Sequence, residues 1–227
     1  MSLYERGPMT LCRVGTADHQ WRDLRIGPRC GPYRNCSRPL SMNIRPTQPI
    51  DLDRFGDIDA TVDSGQYLHV DRSGEGLELA VKVRPRNLRE KLVRPYPLGD
   101  DLQFSIRQIA AGIVEGLALV AEHDDGLVAA LTAQRDHAAG VIRLLDLRVD
   151  IDRRRQGIAS VMMYQLIEAA RTLELRAVAA ATQANNFPAS QMLAKMGFEL
   201  AGLDTFALSN HDLVKEAVTL LWYFPIG

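Results

Sequence analysis

The sequence contains no apolar run that approaches the roughly 20 residues needed to cross a bilayer as a helix. Its richest apolar stretch, Ala110–Ala121, is too short and is interrupted by Glu115. The N-terminus also lacks the hydrophobic block that a secretory signal peptide requires. A length of 227 residues suits one α/β domain, or one domain with a modest extension, and a hydrophobic fraction of 46% is ordinary for a globular protein with a real core. We therefore expect a cytoplasmic protein that has no membrane partner.

Cysteine and histidine are too scarce and too scattered to indicate a metal site. The three cysteines all lie in the first 41 residues, their number is odd, and no Cys-x-x-Cys pair occurs. The five histidines show no His-Glu-x-x-His spacing. We therefore predict neither a disulfide framework nor a bound metal.

Residues 1–41 show no sustained helical or strand period, and glycine, proline and arginine recur there. This segment carries seven arginines against three carboxylates, about +4, so that residues 42–227 carry about −5 of the total charge of −1. We interpret residues 1–41 as an irregular N-terminal extension and residues 42–227 as the functional domain. A redox or zinc role for the cysteines is the alternative. The acidic domain argues against nucleic acid as a partner and weakly favours a cationic substrate.

Regular hydrophobic patterns begin at Met42 and predict strands separated by short turns. The turn sequences are Asp71–Gly74, Asp124–Gly126 and Ala138–Gly140. The second of them is a strong hairpin signal, so three antiparallel strands in succession are expected. The predicted strands are Gln66–Val70, Leu77–Val83, Leu117–Glu122, Leu127–Gln134 and Val141–Val149, and a helix is predicted at Asp100–Ala111.

The hydrophobic period changes from that of a strand to that of a helix after Val149. The later predicted elements are a helix at Gly157–Leu173, a strand at Ala177–Thr182, a helix at Pro188–Met196, and a closing hairpin of Phe198–Ala207 and Ala217–Phe224. A helix that joins two strands predicts a parallel crossover within a mostly antiparallel sheet, and hence a mixed α/β fold.

A basic loop lies between the apolar strand and the amphipathic helix. Arg154 and Arg155 are followed by Gly157 and Ala159, which leave the backbone open to close approach. The first amides of a helix lack intrahelical acceptors, and the helix dipole favours negative charge there. The loop therefore predicts an anion site. A solvated basic turn and a contact to nucleic-acid phosphate are the alternatives.

The motif Arg154-x-x-Gly157-x-Ala159 resembles the (Gln/Arg)-x-x-Gly-x-(Gly/Ala) motif of the GNAT superfamily of N-acetyltransferases. The downstream stretch from Asn186 to Phe198 is similar to a second motif of the same family. The resemblance implies a GNAT fold of six or seven mostly antiparallel strands with one parallel crossover pair. It also implies acetyl-CoA as cosubstrate. The residues implied to bind it are Leu147, Arg148, Val149, Arg154, Arg155, Gln156, Gly157, Ile158, Ala159, Ser160 and Asn186.

The C-terminal stretch from Gly197 to Tyr223 is similar to that of the streptothricin acetyltransferases, which acetylate an amine of a cationic antibiotic. The resemblance implies direct transfer of an acetyl group to a primary amine of a small cationic molecule, and a homodimer is one expectation for the assembly. A protein lysine or N-terminal amine is the first alternative acceptor. A non-catalytic regulator that binds coenzyme A is the second alternative function.

An alkylammonium has a pKa of about 10.4, so the transfer requires a base. Asp146 interrupts the apolar row of its strand and is our candidate, with pairing to Arg148 or Arg143 as the structural alternative. Asp204 is assigned to the substrate ammonium, or alternatively to fixing the last hairpin. Asn186 either holds the pantetheine arm or caps the helix that begins near Pro188.

The acid that protonates the leaving thiolate is not evident from the sequence. The family often places a tyrosine where this chain has Leu193, which cannot donate a proton. Tyr164, Tyr223 and water are the remaining candidates. Residues 42–227 contain no cysteine, which excludes a covalent acyl-cysteine intermediate there.

Overall fold

The computed structural model describes residues 42–74, 77–123 and 126–227. The predicted extension at residues 1–41 lies outside this part of the chain, and so do its cysteines, so the predicted domain boundary stays a prediction. The described residues form strands β1 Met42–Pro46, β2 Val62–Ser73, β3 Ala80–Arg94, β4 Gly116–His123, β5 Gly126–Asp136, β6 Val141–Val149, β7 Ala177–Gln183, β8 Glu199–Asp204 and β9 Thr219–Pro225. The helices are α1 Asp100–Ala110, α2 Ile158–Thr172 and α3 Phe187–Lys195, with 3-10 turns at Pro49–Asp57 and Ile151–Arg153.

The described strands form a seven-stranded sheet in the order β1-β4-β5-β6-β7-β9-β8 and a separate pair, β2-β3. Within the larger sheet β6 and β7 run parallel, and the other neighbouring strands are antiparallel. The parallel pair is joined through α2, which supplies the crossover. The mixed α/β prediction is confirmed, including the size of the sheet and its parallel pair.

Helix α2 packs on the sheet through a continuous apolar face. Met162, Met163 and Leu166 are completely buried, and Ala170 continues the same face one turn later. This spacing is the helical period read from the sequence, because side chains three and four residues apart share one face of a helix. The burial fixes the N-terminus of α2 beside the end of β6.

The parallel pair β6-β7 is short, and the sheet opens beyond it. The two strands pair at only three positions, Val141 with Ala177, Ile142 with Val178, and Arg143 with Ala179. Beyond Arg143, β7 continues its ladder with β9, while β6 stays paired with β5. A β-bulge in β6 at Leu145 accompanies the separation, since the register with β5 shifts there. The edge of β6 from Leu145 to Val149 therefore faces an opening in the sheet.

The β2-β3 hairpin corrects the predicted strand bounds in this region. Residues 71–73 belong to β2, so the predicted turn at Asp71–Gly74 is wrong in its first three residues. Strand β3 begins at Ala80 rather than Leu77 and continues to Arg94. Most of β3 is exposed on both faces, so it lacks the alternation of apolar and polar residues by which a half-buried strand is recognised. Strand β1 was not predicted either, and its backbone is held by pairing with β4.

A buried carboxylate joins β1 to the 3-10 helix that follows it. Asp51 is 1% exposed and accepts hydrogen bonds from Arg45 at 2.6 and 2.8 Å and from the Gln48 amide at 2.7 Å. The Arg45 guanidinium lowers the pKa of the Asp51 carboxyl below its ordinary value. A lowered pKa in the folded state means that the ionised carboxylate stabilises the fold.

Asp51→Asn is expected to lower the free energy of unfolding by about 2–3 kcal/mol at pH 7, because charge-assisted bonds to a buried group are lost. The stabilisation is present above the ordinary aspartate pKa of about 3.9 and is lost as pH falls through the lower folded value. The difference between the proteins should therefore shrink in acid. Denaturant unfolding at pH 7 and below pH 4 measures both effects. Asp53→Asn is the control, since Asp53 is exposed in the same turn.

Candidate functional site

The opening between β6 and β7 forms one wall of a cleft of about 660 Å³. The cleft is bounded by the loop after β6, the first turn of α2 and the start of α3. The residues at the start of β2 and at the end of β3 complete its boundary. Its lining includes Ala60, Val62, Asp63, Arg94, Tyr96, Leu144–Val149, Arg153–Arg155, Gly157–Ser160, Tyr164, Ala181–Gln183, Asn186, Met192, Leu193, Lys195 and Thr219. Most of the residues predicted from the sequence to bind a cofactor therefore line this cleft.

The loop after β6 turns sharply into α2. The Asp150 carboxylate accepts from the Asp152 amide at 3.0 Å and holds the short 3-10 turn. Arg155 and Gly157 then take φ angles of +62° and +83°. The glycine adopts this conformation without a steric penalty, whereas it is strained for an L-residue with a side chain. The result is a helix that starts abruptly at the mouth of the cleft.

The first turn of α2 presents amides to the cleft. The first intrahelical bond runs from the Val161 amide to the Gly157 carbonyl at 3.0 Å, so the amides of Ile158, Ala159 and Ser160 precede it. These amides and the helix dipole make the position favourable for an anion. This geometry is compatible with the anion site predicted from the sequence, which stays a prediction.

The three arginines of the loop all line the cleft, and one of them is held by a hydrogen bond to the backbone. Arg153, Arg154 and Arg155 line the cleft together with Lys195 of α3. The Arg154 Nε donates to the Val149 carbonyl at 3.1 Å, which fixes the guanidinium between the end of β6 and the loop. Gln156 was also predicted to bind the cofactor, but its side chain is exposed and lies outside the cleft lining.

Asp146 and Arg148 form a buried ion pair on β6. The Arg148 Nε donates to Asp146 Oδ2 at 2.6 Å, and each side chain is 1% exposed. Asp146 Oδ1 and Arg148 Nη2 make no further hydrogen bond within the described residues. Of the two partners considered for Asp146, the structure selects Arg148, because Arg143 pairs with Asp136 at 2.8 Å. Both members of the pair line the cleft.

Burial and pairing act in opposite directions on Asp146. Burial raises the pKa of the Asp146 carboxyl above its ordinary value, and the hydrogen bond and charge of Arg148 offset only part of that rise. A carboxylate with a raised pKa is a stronger base. The Asp146 carboxylate therefore accepts a proton more readily than an exposed aspartate does.

Tyr96 is a cleft residue that the sequence analysis missed. Its ring lies over Arg148, with 5.7 Å between the ring centroid and the guanidinium carbon, and 42% of the residue is exposed. Burial raises the pKa of the Tyr96 phenol, and the charge of Asp146 adds to the rise. One signal in the sequence points to it, since Tyr96 stands between Pro95 and Pro97. A residue before proline is restricted to extended conformations, which holds the backbone of Tyr96 in place.

Two residues of the second motif flank the cleft. The Asn186 side chain accepts from the Ala189 amide at 3.4 Å and so caps α3, and the residue also lines the cleft. The position of Asn186 is therefore compatible both with capping α3 and with holding the pantetheine arm. Leu193 lines the cleft as well and is 2% exposed, so the position of the usual family tyrosine holds a buried apolar side chain.

The predicted acid candidates and the predicted substrate ligand are separated by the fold. Tyr164 lines the cleft from α2, whereas Tyr223 lies outside its lining and packs near Arg176. Asp204 is exposed on the edge strand β8, outside the cleft lining, and accepts from the Phe206 amide at 2.8 Å. The structure thus places Asp204 at the turn that ends β8 and not beside Asp146. Its role in binding substrate stays a prediction.

The part of the chain that the structure describes contains no cluster of three or more metal-ligating histidine, cysteine, aspartate or glutamate side chains. None of its helices is long and apolar enough to span a bilayer.

The described residues thus form a mixed α/β fold whose central sheet opens at its parallel pair, with the first amides of a helix at the opening. Residues 86–198, about half of the chain, match the model of the acetyltransferase (GNAT) family. The chain belongs to the GNAT acetyltransferase family, which confirms the resemblance drawn from its motifs.

Similar proteins include streptothricin acetyltransferases. The chain is 31% identical over 74 residues to the streptothricin acetyltransferase of Escherichia coli, an alignment that covers 33% of this chain and 42% of that enzyme. A crystal structure of nourseothricin acetyltransferase superposes with a TM-score of 0.67 at 21% identity, over 82% of this chain and 99% of that chain. A candidate streptothricin acetyltransferase from Bacillus anthracis, solved with acetyl coenzyme A, also gives 0.67, at 19% identity, over 82% of this chain and all of the other.

The same fold also serves other acceptors. The Escherichia coli ribosomal-protein-S18-alanine N-acetyltransferase superposes with a TM-score of 0.54 at 14% identity, over 82% of this chain and 94% of that enzyme. At these identities the structures share the fold, and the acceptor has to be argued from the site.

Proposed function

We propose that this protein transfers the acetyl group of acetyl-CoA to a primary amine of a small cationic molecule, with a streptothricin-like antibiotic as the first candidate acceptor. The observation that carries the proposal is the opening between β6 and β7 with the amides of Ile158–Ser160 at its mouth. The similarity to the Escherichia coli streptothricin acetyltransferase supports this class of acceptor. The acidic balance of residues 42–227 is compatible with a cationic substrate.

The cofactor fits the two surfaces of this opening in different ways. The exposed edge of β6 from Leu147 to Val149 offers backbone groups with which the pantetheine arm can pair as an added strand. The amides at the start of α2, with Arg154 and Arg155, suit the pyrophosphate. Gly157 leaves room beside those amides, since a Cβ there would meet no atom within 4 Å. Acetyl-CoA, when bound, supplies the activated acyl group.

The chain supplies a proton acceptor for the amine. Asp146 takes up the proton from the acceptor ammonium, through a water molecule because its free oxygen is buried. The raised pKa of its carboxyl increases its affinity for that proton. Arg148 holds the carboxylate in one orientation through the 2.6 Å hydrogen bond. The neutral amine then attacks the thioester carbon, the C–N bond forms, and the C–S bond breaks.

The departing thiolate requires little assistance from the protein. Coenzyme A thiolate is a fair leaving group, so an acid that is worth roughly 10²–10⁴-fold is helpful but not essential. Tyr164, which lines the cleft, is the remaining predicted side-chain acid, and water is the alternative.

Arg154→Ala is expected to weaken binding of coenzyme A by about 5–150-fold, because a charge-assisted phosphate contact worth about 1–3 kcal/mol is lost. Calorimetric titration with coenzyme A measures the change. Arg176→Ala is a matched control, since the Arg176 Nε also donates to a backbone carbonyl, that of Ala139, but lies outside the cleft. Unchanged affinity in Arg154→Ala, or an equal loss in both variants, would contradict the assignment of the loop.

The reaction is tested by coenzyme A release with streptothricin, lysine and spermidine, beside a lysine-containing peptide. Release with a small cation and not with the peptide supports the proposal. Release with the peptide alone indicates a protein acetyltransferase. Tight binding of coenzyme A without release from any amine indicates a regulator.

A further inference from the structure

We propose that Tyr96 is a positioning residue whose ring covers the buried Asp146–Arg148 pair on one side and forms the wall for the acceptor amine on the other. This inference rests on the proposed function and adds a residue from outside both recognised motifs. The ring lies over Arg148 with 5.7 Å between its centroid and the guanidinium carbon, within the range of a cation–π contact. Its 42% exposure leaves another part of the residue open.

The backbone around Tyr96 is built to hold the ring in place without a helix or strand. Tyr96 lies in the connection between β3 and α1, and prolines stand on both sides of it. Pro95 fixes its own φ angle, and Pro97 restricts Tyr96 to an extended conformation. A connection that is stiffened in this way loses little conformational entropy when its aromatic side chain docks. The sequence thus provides rigidity at a position in this connection that contacts the ion pair.

Three elements contribute groups around the Asp146–Arg148 pair. Arg148 shares the strand and the face of Asp146, Thr132 is the cross-strand partner of Asp146 on β5, and Tyr96 places its ring over Arg148 from the β3–α1 connection. The Thr132 hydroxyl is buried and makes no hydrogen bond within the described residues. Arg148 and Thr132 are buried, and Tyr96 lines the cleft beside the pair with its ring over the Arg148 guanidinium.

Removal of the ring should change the solvent around Asp146. With the ring in place, the Asp146 and Arg148 side chains are each 1% exposed. Replacing tyrosine by a shorter side chain admits water, which stabilises the ionised carboxylate more than the neutral acid. The acidic limb of the pH–rate profile should then move to lower pH, and Asp146 should become a weaker base. Tyr96 also lines the cleft and is partly exposed, so loss of its ring should also weaken the placement of a cationic acceptor.

The test compares Tyr96→Leu with Tyr96→Phe, using streptothricin and spermidine as acceptors. Tyr96→Leu should move the acidic limb downward and raise KM for the acceptor by about 3–10-fold, the usual range for a lost cation–π contact, while KM for acetyl-CoA changes by less than about 2-fold. Tyr96→Phe retains the ring. It should keep both the acidic limb of the pH–rate profile and the KM for the acceptor near their wild-type values. If Tyr96→Phe behaves like Tyr96→Leu, the hydroxyl and not the ring is responsible, and the inference is overturned.

Tyr164→Leu is the matched control, because Tyr164 also lines the cleft but lies on α2. That substitution should leave the acidic limb in place, whatever it does to the rate. A limb that moves equally in both leucine variants would show a general effect of opening the cleft and would overturn the specific role of Tyr96.

Asp146→Asn separates this inference from the proposed mechanism. If Asp146→Asn keeps the acidic limb, Asp146 is not the base and the mechanism fails. If Asp146→Asn abolishes the limb but Tyr96→Leu leaves it unmoved, only the role of Tyr96 is overturned. The combined variant gives a further check, since Tyr96→Leu should lower kcat/KM less when Asp146 is already replaced, as expected for coupled residues. Full additivity of the two substitutions would contradict the coupling.

Discussion

Gly157→Val is expected to weaken binding of coenzyme A by about 100-fold or more. Gly157 has φ +83°, a conformation that a β-branched residue adopts only with strain of the order of 1–3 kcal/mol. The valine methyls would also project from the point where the amides of α2 open toward the phosphate site. If the backbone relaxes to relieve the strain, those amides turn away from the phosphate site. If it does not relax, the valine methyls occupy the space that the phosphate needs. Calorimetry with coenzyme A measures the loss.

Gly112→Val is the control for strain alone. Gly112 follows α1 with φ +70°, a Cβ there would meet no atom within 4 Å, and the residue lies outside the cleft lining. Both valine variants should therefore lose a similar amount of stability, and only Gly157→Val should lose affinity. Equal coenzyme A affinity in the two variants would show that the cofactor does not approach the start of α2.

The second large effect is expected from Asp146→Asn, which should reduce both stability and rate. Removing the carboxylate leaves the Arg148 guanidinium buried without its counter-charge, a loss of about 3–5 kcal/mol for a broken buried pair. If Asp146 is the base, kcat/KM should also fall by roughly 10²–10⁴-fold. The acidic limb of the profile, which in the wild type should lie above the ordinary aspartate pKa of about 3.9 because the carboxyl has a raised pKa, should vanish.

Stability and chemistry can be separated by replacing both members of the pair. Asp146→Asn combined with Arg148→Met removes the uncompensated charge, and an apolar replacement of a buried pair is often neutral for stability. The double variant should therefore recover much of the melting temperature lost in Asp146→Asn. It should not recover kcat/KM. Recovery of the rate together with stability would show that Asp146 serves the fold and would assign the base elsewhere.

The elements around the cofactor loop were predictable from the sequence because their patterns are local. Helix α2 shows the helical period over four turns, and β5 and β6 are apolar runs bounded by turn residues. The start of α2 was recognisable since glycine and basic residues stand where a strand gives way to a helix. These features depend on residues that are close together in the chain.

The acceptor side of the cleft was less predictable because its parts are distant in the chain. Tyr96 follows β3 and Arg148 lies on β6, so the two meet only in the folded chain, and no hydrophobic period marks either residue as a partner of the other. The pairing of Asp146 with Arg148 was foreseeable as one of two alternatives, since residues two apart on a strand share a face. Asp204 was associated with the site by motif similarity. It lies on the edge strand β8, outside the cleft lining, and its role in binding substrate stays a prediction.

The short ladder between β6 and β7 has a consequence for how such a protein can change over evolutionary time. The opening exists because the two main chains diverge after three paired positions. Its location is therefore inherited with the topology of the strands. The walls are supplied largely by other segments, among them the β2-β3 hairpin, which belongs to a separate sheet. Substitutions in those walls can alter which molecule is accommodated while the opening itself persists.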